Sequence, residues 1–398
     1  MHFLEGRGEP ARMNPMSALS RIAPALAFAL ALVGLPVRGH AQQPAAAGPG
    51  PGAAAASSAP AAPSITLLVP PRGGDFGRAA AALQAGFRAA RERDADPAAI
   101  EVVETGDDAA ALAARLRELA ARGTSIVVGP MTRAGVNALA ALGPTLPLPV
   151  LALNQPDADR SLPDNALAFG LPIEIEVRQL ARLAHAGAAD PTRRPGGGVA
   201  RAAIVSSGSP LARRAASAFY DAWRELGGAA ELPAEFEPRA AADLRAQLAA
   251  IEPDVVFVAG GIELVRAARA SAAAGAAPQS AAVYATSMLG AALGADRRLP
   301  ELDGVRVVEM PWFLPGAATV PGGYPRPQGV MANADLQRLH ALGIDAYRIA
   351  AELGRGRPVL DLDGATGRLS RDERTGRIER VGVACEFRNG VPVPLDAR

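Results

Sequence analysis

The sequence contains no lysine, one cysteine and only 4% aromatic residues, and each shortage narrows the possible functions. Without lysine the chain has neither the lysine of a phosphate-binding P-loop nor a lysine Schiff base, so ATP hydrolysis by that route and pyridoxal chemistry are excluded. The single Cys385 cannot form an internal disulfide or a cysteine zinc site, and we expect a buried thiol there. The formal net charge of +1 offers no bulk attraction for nucleic acid.

The amino terminus has the pattern of an export signal. Arg12 and Arg21 precede an apolar run over residues 22–35, which is short for a membrane span. Gly39-His40-Ala41 places small residues where a signal peptidase reads them. We therefore predict that residues 1–41 are a signal peptide and that the chain is periplasmic, with an uncleaved inner-membrane anchor as the alternative. No cysteine stands at the cleavage site, so lipid attachment is not expected there.

Residues 42–63 form a second segment, rich in alanine, proline and glycine. It carries no charged and no large apolar side chain, so it cannot bury a core. We predict a disordered linker.

The organising unit of the remaining chain is the stretch TSIVVGPMTRAGVNALAALGPTLPLPVLALN. It contains an apolar run at 126–128, a helical pattern at 132–142 and a second apolar run at 150–153. Neither run alternates with polar residues, which is typical of parallel strands covered on both faces and joined by helical crossovers. Similar units recur along the chain, so the expected fold class is α/β, with two doubly wound parallel-sheet lobes and a cleft between them.

The order of the units suggests how the lobes are divided. We expect lobe I to contain residues 64–170 and 287–380, and lobe II residues 171–286 and 381–398. An Asn389-Gly390 hairpin turn closes the last pair of strands.

Parallel sheets bind ligands beyond the carboxyl ends of their strands. Polar residues near those predicted ends are therefore the cleft ligand candidates: Arg72, Thr132, Arg133, Asn154, Ser206, Ser207 and Ser287. Thr132 has a competing role as a helix cap. No G-x-S-x-G nucleophile motif occurs, since Ser207-Gly208-Ser209-Pro210 lacks the final glycine. We predict no catalytic residue, no metal and no cofactor.

Several motifs in a fixed order resemble one protein family. VGPMTRAGVNALA, PVLALN, EMPWFLP, HALGIDAYRIA and LDGATGRLSRDERTGRIERVGVACEFRNG are similar to the penicillin-binding-protein activators of the bacterial envelope. The resemblance implies a type I periplasmic-binding-protein-like fold. It also implies a non-catalytic regulator that binds and activates a peptidoglycan synthase, a class A penicillin-binding protein.

One alternative function follows from the same fold. Amino-acid receptors of this fold also contain a GATGRL motif, so the chain can be read as a solute-binding receptor that delivers a small polar ligand to an ABC importer. Such receptors place Ser or Thr on the loop after the fourth strand, where this chain has Asn154-Gln155-Pro156. This departure favours the activator.

Two further hypotheses concern the carboxy-terminal part of the chain. Asp345 lies on a helix with many apolar residues, and we expect it to bond backbone N–H groups or an Arg of the GATGRL region. Residues 310–327 form a long aromatic loop, so Trp312, Phe313 and Tyr324 are partner-surface candidates. For Trp312 and Phe313 the alternative is packing at the junction of the lobes, and Tyr324 is expected to be exposed.

Overall fold

Short apolar runs form most of the central strands, since helices cover both faces of the sheets. The computed structural model describes residues 62–189, 198–231, 241–273, 281–292, 298–314, 323–327, 333–357, 361–372 and 377–395. The expected signal peptide and nearly all of the expected linker lie outside these ranges. The strands are β1 (Ser64–Val69), β2 (Ala99–Glu104), β3 (Ile126–Val128), β4 (Val150–Ala152), β5 (Ala166–Ala168), β6 (Arg201–Ser206), β7 (Ala229–Glu231), β8 (Val255–Ala259), β9 (Ala282–Ala285), β10 (Arg306–Glu309), β11 (Asp361–Asp363), β12 (Arg368–Asp372), β13 (Arg377–Val381), β14 (Val383–Arg388) and β15 (Val391–Pro394).

The helices alternate with the strands, as the sequence pattern predicts. Among the described residues, side chains cap four of them: Asp108 accepts from the Ala111 N–H, Thr132 from Gly135, Ser209 from Ala212, and Asn333 from Asp335 and Leu336. The helices are α1 (Gly77–Arg93), α2 (Ala109–Ala121), α3 (Arg133–Ala140), α4 (Ile173–Ala188), α5 (Pro210–Glu225), α6 (Ala241–Ile251), α7 (Ile262–Ala273) and α8 (Ala334–Gly354).

The strands form two sheets, which confirms the predicted fold class. The first sheet has the order β11-β12-β13-β5-β4-β3-β1-β2, and the second has the order β15-β14-β10-β9-β8-β6-β7. The central pairs are parallel in both sheets, and antiparallel strands from the end of the chain complete one edge of each. We call each sheet with its helices a lobe.

Each sheet has a buried core on both faces. In β1, Leu67 packs with α1 and α8 on one face, whereas Leu68 packs with α2 and α3 on the other. In the second sheet, Val205 and Ile204 of β6 divide in the same way between two cores. This two-sided burial explains the strands without alternation.

Two glycines bring α1 and α8 unusually close. A Cβ atom built on Gly86 would lie 1.9 Å from the carbonyl O of His340, and one built on Gly343 would lie 2.0 Å from that of Leu83. Only glycine permits backbones to approach in this way. Helix α8 is therefore fixed to the first lobe.

The chain passes between the sheets at three points. It leaves the first sheet after β5 and enters α4, whose apolar face joins the core of the second sheet. It returns after β10, at Met310, towards α8. It passes to the second sheet again at Gly382, between β13 and β14.

One strand lies differently from the expected division into lobes. Residues 287–380 were expected in lobe I, but β10 pairs with β9 and β14 in the second sheet. The crossing to the first lobe thus comes after Glu309. Sequence order could not reveal this, because β10 is an apolar run that fits an internal position in either sheet.

The terminal hairpin matches its prediction. Asn389 and Gly390 both have positive φ, at 53° and 76°, and they connect β14 to β15 with Arg388 opposite Val391. Two positive φ values in a two-residue loop are characteristic of hairpins that follow the natural twist of the strands.

Candidate functional site

Three cleft candidates of the first sheet form hydrogen bonds to other residues of the protein. The Thr132 hydroxyl donates to Asp107 and caps α3, so its capping role is the observed one. Arg133 Nε lies 2.7 Å from Asp157 Oδ1, and this hydrogen bond lowers the pKa of Asp157. Asn154 Nδ2 donates to the Met131 carbonyl at 3.2 Å. These three candidates lie at the ends of β3 and β4, and each makes a side-chain hydrogen bond within the protein.

The remaining candidates lie at the ends of three strands, β1, β6 and β9. Arg72 is 82% exposed and pairs with Glu104. Ser206 is buried and its Oγ accepts from the Gly208 N–H at 3.3 Å, whereas Ser207 is exposed. Ser287 donates its backbone N–H to the carboxylate of Glu176. Ser207 is thus the exposed serine among them.

Gln155 is a polar group that the sequence analysis did not single out. It follows Asn154 at the end of β4, and its amide oxygen and nitrogen are both buried without a hydrogen-bond partner among the described residues. A buried amide without partners typically costs about 1–3 kcal/mol, which makes it a candidate for an external partner. Its position after a strand is the one feature of the sequence that could have pointed to it.

The aromatic loop is mostly packed inside the protein. Trp312 is 2% exposed, its Nε1 donates to Gln337 Oε1 at 3.1 Å, and its backbone N–H donates to the Ala365 carbonyl. Phe313 is half-buried, with the Arg338 guanidinium 4.7 Å from its ring centre. For Trp312 the packing alternative therefore describes the observed contacts.

The expected exposure of Tyr324 is wrong. Its side chain is 7% exposed and packs into the core beside α1 and α8, with its hydroxyl 3.3 Å from Asp94 Oδ1. Burial raises its pKa to about 12. The neighbouring Gly323 and Pro325 are exposed, because the backbone stays at the surface while the ring turns inward. Most of the loop between Leu314 and Gly323 lies outside the described residues.

A buried ion pair joins α8 to the end of β10. Arg338 Nη1 and Nη2 lie 2.8 and 2.9 Å from the two carboxylate oxygens of Glu309, and both side chains are buried. Glu309 Oε1 also accepts from the Met310 N–H at 2.7 Å. The ion pair is therefore hydrogen-bonded to the backbone at the point where the chain passes from the second sheet to the first.

Two more buried charges lie near this pair. Glu176, in the first turn of α4, is buried and interacts electrostatically with the positive charges of Arg338 and Arg380. Arg380 in β13 donates from Nη1 to the Thr366 carbonyl at 3.1 Å. We call these four residues the junction cluster: Glu176, Glu309, Arg338 and Arg380. Two carboxyl groups and two guanidinium groups thus lie together inside the protein, where charges need partners.

The junction cluster has a predictable pH response. Burial raises the pKa of Glu176 above its ordinary value of 4.5, against the opposing hydrogen bonds from Ser287. The folded protein thus holds this proton more tightly than the unfolded chain, so the contribution of Glu176 to stability falls as pH rises from 4.5 towards the raised pKa. Glu176→Gln does not titrate. We expect the stability of the parent, relative to that variant, to decline over this window.

Urea unfolding at a series of pH values measures this difference. Glu379→Gln is the matched control, because Glu379 is an exposed carboxylate beside Arg380 in the same strand. Parallel stability curves for the parent and Glu176→Gln would contradict the assignment.

Asp345 has the partners that were predicted for it. Its carboxylate accepts from the backbone N–H groups of Ala365 and Thr366, both at 2.8 Å, and from the Thr366 hydroxyl at 2.6 Å. The side chain is fully buried, and burial raises its pKa while these bonds oppose the rise. The carboxylate thus binds the loop Gly364-Ala365-Thr366-Gly367 to α8.

Cys385 is a buried free thiol, as expected. Burial raises its pKa to about 12, which keeps it protonated and unreactive. Among the described residues, no helix is both long enough and apolar enough to cross a membrane.

Comparison with known proteins gives a family and a group of relatives. The family profile described as "LppC putative lipoprotein" matches residues 58–390. A curated relative from Edwardsiella piscicida, "Penicillin-binding protein activator LpoA", is 28% identical over 340 residues, which cover 74% of this chain and 46% of the relative. The chain thus spans about half the length of the curated relatives that it matches.

Two solved structures illustrate the similarity of the fold. A structure from Chromobacterium violaceum, described as a "putative branched-chain amino acid ABC transporter", is 31% identical, with a TM-score of 0.65, covering 82% of this chain and all of that one. The LpoA C-domain from Haemophilus influenzae, described as a regulator of PBP1A, is 22% identical, with a TM-score of 0.66, covering 83% of this chain and 99% of that one. Each of the two structures covers more than four fifths of this chain.

Proposed function

Because the chain belongs to the LppC family, we propose that it is a non-catalytic regulator that binds and activates a peptidoglycan synthase. The synthase is a class A penicillin-binding protein, and the contact takes place in the periplasm. The observation that carries this proposal is the alignment with curated relatives named penicillin-binding protein activators, which extends over most of the two lobes.

The chemistry at the strand ends supports binding of a macromolecule over binding of a small solute. Thr132, Arg133 and Asn154 each make a side-chain hydrogen bond within their own chain. A receptor for amino acids needs free donors and acceptors at these positions, because the polar groups of the ligand must be paired on burial. An activator needs only a surface.

Export is part of the same proposal. The amino-terminal pattern of arginines, apolar run and small residues would direct the chain across the inner membrane. A peptidoglycan synthase carries out its chemistry on that side. The proposal requires no lipid on Cys385, which is buried in β14.

The direct test combines binding with stimulation. The full exported chain is added to the class A penicillin-binding protein of the same organism, and glycan polymerisation is followed with a fluorescent lipid-linked precursor. We expect a saturable increase in rate and co-purification of the two proteins. A solute-binding protein of the same fold is the control. Absence of both binding and stimulation would overturn the proposal.

A second function is favoured by one observation, the unpartnered amide of Gln155. It lies at the end of β4 beside exposed loops, and the Chromobacterium structure at 31% identity bears the description of an amino-acid transporter. A small polar ligand that paired with Gln155 would make the chain a solute-binding receptor for an importer.

A thermal-shift screen separates the two functions. A receptor is stabilised by about 2.7 kcal/mol when its ligand is present at 100 times the dissociation constant, whereas an activator is indifferent to amino acids and small amides. For a receptor, Gln155→Ala should abolish the shift, while Arg117→Ala, at an exposed position of α2 away from the strand ends, should preserve it. If no compound of the panel shifts the melting temperature, the receptor is contradicted.

A further inference from the structure

Gln179 holds one crossing between the lobes through its side-chain amide. Its Nε2 donates to the Gly382 carbonyl at 2.7 Å, and its Oε1 accepts from the Gly382 N–H at 3.0 Å. Both backbone groups of the residue that separates β13 from β14 are thus bound by one side chain of α4. A Cβ atom on Gly382 would lie 2.6 Å from Val308, so the crossing is also tightly packed.

Arg338 holds a second crossing. It lies on α8, which the close approach at Gly86 and Gly343 fixes to the first lobe. Its partner Glu309 ends β10 in the second sheet, and the same carboxylate accepts from the Met310 N–H. The ion pair therefore connects the lobes at the residue where the chain passes between them.

Movement of one lobe against the other would have to change the backbone dihedral angles at these crossings. At Gly382 the two hydrogen bonds to Gln179 oppose that change, and at Glu309 a buried bidentate pair opposes it. Buried charges that lose a partner are costly, because neither water nor another charge replaces it. Glu176 and Arg380 lie close enough to interact electrostatically with the same pair.

We infer that Gln179, Glu309 and Arg338 form a lock that fixes the angle between the two lobes. The inference goes beyond the proposed function, since it concerns the motion of the protein and not the identity of its partner. The locked molecule offers its partner a preformed surface built from both lobes. Binding does not depend on closure around a small solute.

The chain is well suited to a distance measurement between the lobes. Its one cysteine is buried with a raised pKa, so introduced surface cysteines take a spin label selectively. Arg88 on α1 and Arg224 on α5 are exposed and lie on different lobes. The full chain carrying Arg88→Cys and Arg224→Cys is spin-labelled at both positions, and double electron–electron resonance measures the distance between the two labels.

We expect the labelled parent to give one narrow distance distribution. Adding Gln179→Ala, and separately Arg338→Met/Glu309→Gln, should broaden the distribution or add a second peak. The double variant removes both charges together and keeps an acceptor for the Met310 N–H, so no charge is left buried alone. Gln179→Ala is the milder change should the double variant unfold, and circular dichroism reports on folding.

A matched control removes an ion pair of the same type away from the crossings. Arg266→Met/Glu301→Gln breaks an exposed pair within the second lobe and should leave the distribution unchanged. The lock is overturned if the parent distribution is already as broad as those of the lock variants. It is equally overturned if the lock variants broaden it no more than the control does. Neither readout involves the synthase, so failure of the lock is distinguishable from failure of the proposed function.

Discussion

Replacing Arg338 with Met is expected to lower the free energy of unfolding by about 3–5 kcal/mol, because the carboxylate of Glu309 is left buried without its cation. Both oxygens of Glu309 now accept from Arg338, and only Oε1 keeps a second donor, the Met310 N–H. Urea unfolding followed by tryptophan fluorescence measures the loss, since Trp312 lies close to the pair in the chain and is buried.

The double variant Arg338→Met/Glu309→Gln separates two causes of the lost stability. One is the loss of the attraction between the two charges, and the other is the cost of leaving the Glu309 carboxylate buried without a partner. Removal of both partners of a buried pair is often neutral, so we expect it to regain more than half of the stability lost in Arg338→Met. A loss below about 1 kcal/mol in the single variant would mean that water reaches Glu309 and that the pair behaves like a surface bridge.

Asp345→Ala should cost at least about 3 kcal/mol, because it leaves three buried donors without an acceptor and each costs roughly 1–3 kcal/mol. The affected donors are the N–H groups of Ala365 and Thr366 and the Thr366 hydroxyl. The loop also packs tightly against this carboxylate, since a Cβ atom built on Gly364 would lie 2.5 Å from Asp345 Oδ2. Thermal melting measures the effect.

Asp345→Asn is the matched control, and it should lose less stability because one amide oxygen can still accept from the loop. At temperatures where Asp345→Ala remains folded, stimulation of the synthase should persist. Unchanged thermal stability together with lost stimulation would contradict the structural role and assign Asp345 to the partner surface.

Local features of the sequence predicted the elements well. The apolar run of β3 and the Thr132 cap depend only on neighbours in the chain, as does the Asn389-Gly390 turn, so their sequence signals are complete. Asp345 was also predictable, because a carboxylate among apolar helix positions requires donors nearby.

Features that depend on distant residues could not be predicted in this way. Glu309 and Arg338 are 29 positions apart and look like ordinary charges at the ends of apolar segments. Tyr324 turns inward because Asp94, 230 positions away, accepts from its hydroxyl. The placement of β10 likewise depends on β14, which follows much later in the chain.

The antiparallel strands at the end of the chain have a consequence for the order of folding. The first sheet is completed by β11, β12 and β13, and the second by β14 and β15, so neither lobe has all its strands until the last forty or so residues are available. Pairings between segments so far apart in sequence form slowly, because a long loop must close first. For a chain proposed to cross a membrane, this order has a consequence: until β11 to β15 are available both sheets lack edge strands, so we expect folding to be completed after export and not before it.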